Sequence, residues 1–196
     1  MKTIFIFFYL VLSSSAFAQE TLSFTLNQTP IYLMRKTDSS VIATINPDTF
    51  FYSDDSNASI IKIKFFDFDE QNWRDGFVEN KNIRLFSNAE KSEKTRFVIN
   101  YLRDFNKKFV QNKITNEQIN INLNPLIEEI IYQTCVNKNQ VVVKFFIQTL
   151  SNIYATLDEK QIYALEEMYR CNPESVLKNL EGEKAKNEIL KIIESF

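Results

Sequence analysis

Two glutamate doublets, Glu128–Glu129 and Glu166–Glu167, carry the first hint of chemistry in this 196-residue chain. Facing carboxylates can divide acid and base roles when their surroundings push their pKa values apart. That requires an apolar cleft; glutamates on the wet side of a helix are the ordinary alternative. A second acidic cluster, DFDEQNWRDG, sets Asp67, Asp69 and Gln71 at alternate positions, like the opening of a calcium loop. Such a loop needs glycine at its sixth position and glutamate at its twelfth. This chain has Asn72 and Val78 there. The acids are read as a solvated hairpin, and neither a metal nor a cofactor is expected.

The chain contains no histidine. That removes the usual general base at neutral pH and the commonest metal ligand. Ser-His, Cys-His and histidine-based zinc chemistry are excluded within the chain. With only Gly76 and Gly182 it has no glycine-rich phosphate loop. A net charge of −2 gives no overall field for nucleic acid or anionic lipid, and the basic residues are spread along the chain on solvated faces, apart from small pairs such as Lys107 and Lys108. Cys135 and Cys171 are the only cysteines; an even count in an exported chain favours a disulfide over two buried thiols.

These residues must be positioned by elements that the pattern reveals. MKTIFIFFYLVLSSSAFAQE has a positive Lys2, an apolar run from Ile4 to Leu12 and the small-x-small motif Ala16-Phe17-Ala18. It reads as a secretory signal over residues 1–18, cleaved after Ala18. The apolar run is short for a bilayer span, so no stable membrane insertion is expected after cleavage. From Ile31 to Phe86, β-branched and aromatic runs are cut by polar turns, which predicts four or five short strands. IIKIKFF alternates, with Ile61, Ile63 and Phe65 on one face and Lys62, Lys64 and Phe66 on the other. From about Glu90 the period becomes helical: Val98, Leu102, Phe105 and Phe109 mark the first helix, and Val142, Phe146 and Leu150 a later one. Asn124-Pro125 and Asn172-Pro173 read as helix starts, Thr156 with Glu159 as capping-box spacing, and Gly182 as a break. EEIIYQTCVN and EEMYRCN echo one another, as stacked HEAT-like hairpins do.

PIYLMRKTDSSVIATI, TFFYS, IIKIKF and DGFVENKNI follow one another as a strand, a polar loop and further strands. Residues 29–86 thereby resemble a bacterial SH3-like (SH3b) domain. In that family the last element commonly reads Gly-Trp-Val, and here it is Gly76-Phe77-Val78. Ile31-Tyr32-Leu33 replaces the family's Asn-Val-Arg, and Phe65-Phe66 stands where a tryptophan often ends the central strand. Gly76 is read as allowing a tight backbone path where a strand enters the barrel.

The resulting expectation is an α+β chain: a small SH3-like β-barrel domain over residues 19–88, then an α-helical bundle over 89–196. Phe66, Phe68 and Trp73, with Lys62 and Lys64, form the candidate binding surface; the alternative is packing against the helical part. The expected function is non-catalytic binding of protein or peptidoglycan in the cell envelope, periplasmic or extracellular. An exported inhibitor or immunity-type protein acting through the helices is the alternative, and a hydrolase using carboxylates alone is a third.

Overall fold

The computed structural model describes residues 21–54, 58–67, 70, 72–111 and 123–196. The expected signal segment, Phe68, Asp69 and Gln71 lie outside the described residues. Seven strands come first: β1 (Thr21–Thr25), β2 (Thr29–Tyr32), β3 (Val41–Ile45), β4 (Phe50–Ser53), β5 (Ile60–Asp67), β6 (Asn72–Glu79) and β7 (Ile83–Leu85). Among the described residues six helices follow: α1 (Lys91–Val110), α2 (Ile127–Cys135), α3 (Gln140–Ile153), α4 (Glu159–Cys171), α5 (Pro173–Lys178) and α6 (Glu183–Glu194). The architecture is α+β, as the change of period implied.

The strands form one antiparallel sheet in the order β3-β2-β6-β5-β4-β1-β7. It is not closed: β3 and β7 are its edges. The strand count exceeds the expected four or five. β1 went unread because TLSFT mixes polar and apolar residues without a strong run; it is held by pairing with both β4 and β7.

Period-two alternation decides where each side chain goes. On one face Ile31, Phe51, Ile61, Ile63, Phe65 and Val78 bury against one another, with Ile42, Ala43 and Ala58 packed on them. On the other, Phe24 and Phe50 enter a larger core that runs through α1, α2, α3, α4, α5 and α6. Adjacent Phe50 and Phe51 in β4 thus serve different cores. The sheet and helices meet through aromatic rings: Phe24 stacks on Phe97 at 4.9 Å, and Phe50 meets Tyr101 edge-on at 5.0 Å.

The helical half is organised by its ends. α1 starts at a capping box in which Glu90 accepts from the backbone and Glu93 returns the bond at 3.0 Å. α4 starts at another, built by Asp158 and Gln161 rather than the expected Thr156 and Glu159. Thr156 lies two residues before the actual cap, in a 3-10 turn that ends before Asp158. Gly182 does take the left-handed backbone, φ 77°, ahead of α6. Asn124, just before α2, donates to Asp158 at 2.6 Å, and the C-terminal residues of α2 and α4 are joined by the Cys135–Cys171 disulfide, Cα–Cα 5.5 Å. α2 and α4 therefore run side by side in the same direction, with α3 returning between them in sequence.

Gly76 is not at a strand entrance and its backbone is ordinary for a strand. It lies inside β6, paired with Ile63, and a Cβ there would sit 2.2 Å from Ile31 Cγ2. Glycine is required because a neighbouring core side chain already fills its place. Ile31 is fully buried and cannot swing away. Gly76→Ala is expected to cost about 1–3 kcal/mol through overpacking. Denaturant unfolding measures this, and Ile31→Ala should partly relieve it in the double variant. Additive costs in that cycle would refute the steric account.

Candidate functional site

Of the expected binding residues, Lys62, Lys64, Phe66 and Trp73 lie on the helix-facing side of the sheet. Pairing sets Tyr52, Lys64 and Asp75 in one row, Phe66 beside Trp73, and Lys62 beside Phe77. Trp73 meets Phe66 edge-on at 5.6 Å and Tyr52 tilted at 5.6 Å. Phe66 is buried, whereas Trp73 is half-buried against the helical core. Trp73 and Tyr52 therefore belong to the joint between sheet and helices, with Phe66 packed on Trp73.

Beyond the tryptophan the same face opens. Lys62 and Lys64 are exposed, and Lys62 pairs with Asp75 at 2.7 Å. Phe77 is half-buried next to Lys62, while its neighbour Val78 is fully buried on the opposite face. Cations beside half-covered rings are thus the outward chemistry of β5 and β6. Phe77 and Tyr52 were missed as members of this surface; the register that places them is a long-range property.

The acidic clusters are held by partners. Arg170 bonds both Glu166 and Glu167, the latter at 3.0 Å. Glu129 accepts from Gln133 at 2.7 Å, and Glu128 borders an open hollow of about 300 Å³ with Glu159 and Tyr163. The two doublets do not face one another across a cleft. Asp67 pairs with Arg74 at 2.7 Å and accepts from the Glu70 amide at 3.2 Å. Among the described residues no group of three or more His, Cys, Asp or Glu can hold a metal. None of their helices is long and apolar enough to cross a membrane.

A second polar assembly ties the sheet to α1. Asp48, in the NPD turn, has a left-handed backbone with φ 57°. Its amide donates to the Thr25 carbonyl at 3.0 Å, and its carboxylate accepts from Asn100 at 2.7 Å. Arg96 lies 3.6 Å from the other carboxylate oxygen, and Arg103 donates to Asn100. Below it sits Tyr101, whose phenol is pushed well above its usual pKa by burial and then by neighbouring Tyr52. Asn46, Pro47 and Asp48 are turn-forming residue types, whereas the attachment of their turn to α1 is a long-range contact.

Comparison with protein-family models, with curated proteins and with solved structures returned no match.

Proposed function

We propose that this is an exported, non-catalytic binding protein of the cell envelope. Its sheet, open between β3 and β7, is read as an SH3b-like fold whose helix-facing side takes a protein or peptidoglycan ligand. The supporting observation is the open part of that face, where Lys62 and Lys64 stand beside the exposed edges of Trp73 and Phe77. Rings supply contact area and lysines supply attraction for the carboxylates that peptides carry. The buried cluster on the other face of the sheet suits an SH3b-like fold, and the half-exposed disulfide suits an oxidising compartment. The paired helices α2 and α4 support a stacked-hairpin arrangement behind it.

The test is co-sedimentation with purified peptidoglycan, alongside capture from envelope extract. Lys64→Glu is the informative variant, because Trp73→Ala also disturbs the packing against Tyr52 and Phe66. Retention of the parent protein and loss with Lys64→Glu is the expected result. Capture of a single secreted enzyme, unaffected by Lys64→Glu, would replace this reading with that of an inhibitor.

A further inference from the structure

Among the described elements, α1 alone is strongly basic. It carries Lys91, Lys94, Arg96, Arg103, Lys107 and Lys108 against Glu93 and Asp104, in a chain of 23 basic and 25 acidic residues. The remainder of the molecule is therefore acidic, and its positive charge is not evenly spread as the sequence suggested.

The charges are also sorted by face. At the helical period, Ser92, Arg96, Ile99, Arg103, Lys107 and Val110 fall in one stripe roughly 80° wide. Phe97, Val98, Tyr101, Leu102 and Phe105 occupy the opposite side and are buried. Arg96, Arg103 and Lys107 are exposed. Lys107 has no carboxylate partner among the described residues.

Two of these cations are held in place. Asp48 is anchored to β1, bonds Asn100 and faces Arg96, while Asn100 accepts from Arg103. Fixing the guanidinium groups before contact reduces the entropy lost when a ligand binds. Guanidinium forks match carboxylates with two parallel hydrogen bonds.

We propose that this stripe docks an acidic segment of a partner protein. Charge complementarity identifies the occupant. Arg96 and Lys107 are eleven residues apart, about 17 Å along the helix axis, which is the reach of about five residues of extended chain. Ser92 offers a hydrogen bond along the same strip. A membrane surface fits less well, because the stripe offers only Ile99 and Val110 to an acyl layer while the large apolar side chains of α1 are buried. The stripe is separate from the sheet surface around Lys64, and the proposal does not depend on that surface being a binding site.

The test is fluorescence anisotropy of a labelled polyglutamate peptide titrated with the folded chain. Binding that weakens with salt is expected, and Arg103→Glu with Lys107→Glu should lower affinity by at least about tenfold, since two favourable charge contacts become repulsive. Lys184→Glu with Lys191→Glu on α6 makes the same change in net charge and should leave affinity nearly unchanged. No peptide binding, or equal losses from the α1 and α6 pairs, would overturn the proposal. So would binding to phosphatidylglycerol vesicles, lost with Arg103→Glu and Lys107→Glu, in the absence of peptide binding.

Discussion

Replacing Phe97 by alanine is expected to cost about 3–5 kcal/mol and to weaken the sheet and the helices together. Phe97 is fully buried and stacks on Phe24 of β1 at 4.9 Å. It also meets Phe86 at 5.6 Å and Tyr101 at 5.9 Å. The cavity left by its ring would open where the two halves share their core, so neither half can collapse into it alone. Trp73 is the only tryptophan and lies at this joint, so its fluorescence reports the sheet side. Far-ultraviolet dichroism reports the helices. The shared core predicts coincident denaturant transitions by both probes, in the parent and in Phe97→Ala. Separate midpoints in the parent protein would show that residues 19–88 and 89–196 unfold as independent domains, and the single-core account would then fail.

The second large effect concerns the disulfide. Cys135 and Cys171 are 36 residues apart, and cross-linking a loop of that length stabilises by about 4 kcal/mol in the chain-entropy description. The expected result is a loss of about that size in Cys135→Ala/Cys171→Ala, reproduced in the parent by a thiol reductant. α2 should be affected most. It has nine residues, too few to hold helical structure without tertiary support. The clamp is reinforced by buried Gln133, which accepts from Thr95 of α1 at 3.0 Å and from Asn137 at 3.0 Å. That network should keep the reduced protein folded at low denaturant, with hydrogen exchange in α2 rising first. An unchanged midpoint with both thiols demonstrably free would remove the bridge as a stabilising element.

Much of the chain's local structure was legible without coordinates. The alternation of IIKIKFF correctly assigns Ile61, Ile63 and Phe65 to one core and leaves Lys62 and Lys64 in solvent. Asn172-Pro173 and Gly182 do mark helix boundaries. The absence of histidine excludes whole classes of chemistry whatever the fold. These properties depend on single residues or short periods, so the sequence by itself determines them.

What only the tertiary structure decided depends on which element covers which face. Alternation put Phe66 and Trp73 off the inner core of the sheet; packing against the helix-containing core made Trp73 and Tyr52 part of a joint and left Lys64 outside. Composition revealed that Gly76 is scarce, but the reason is the methyl group of Ile31 on a neighbouring strand. The lysines and arginines of α1 could be counted from the sequence. Their organisation required Asp48, fifty-two residues before Asn100, to be brought against the helix. Periodicity records how each element divides apolar from polar side chains. The partner that buries the apolar side, or orders the polar one, is selected by packing between segments far apart in the chain.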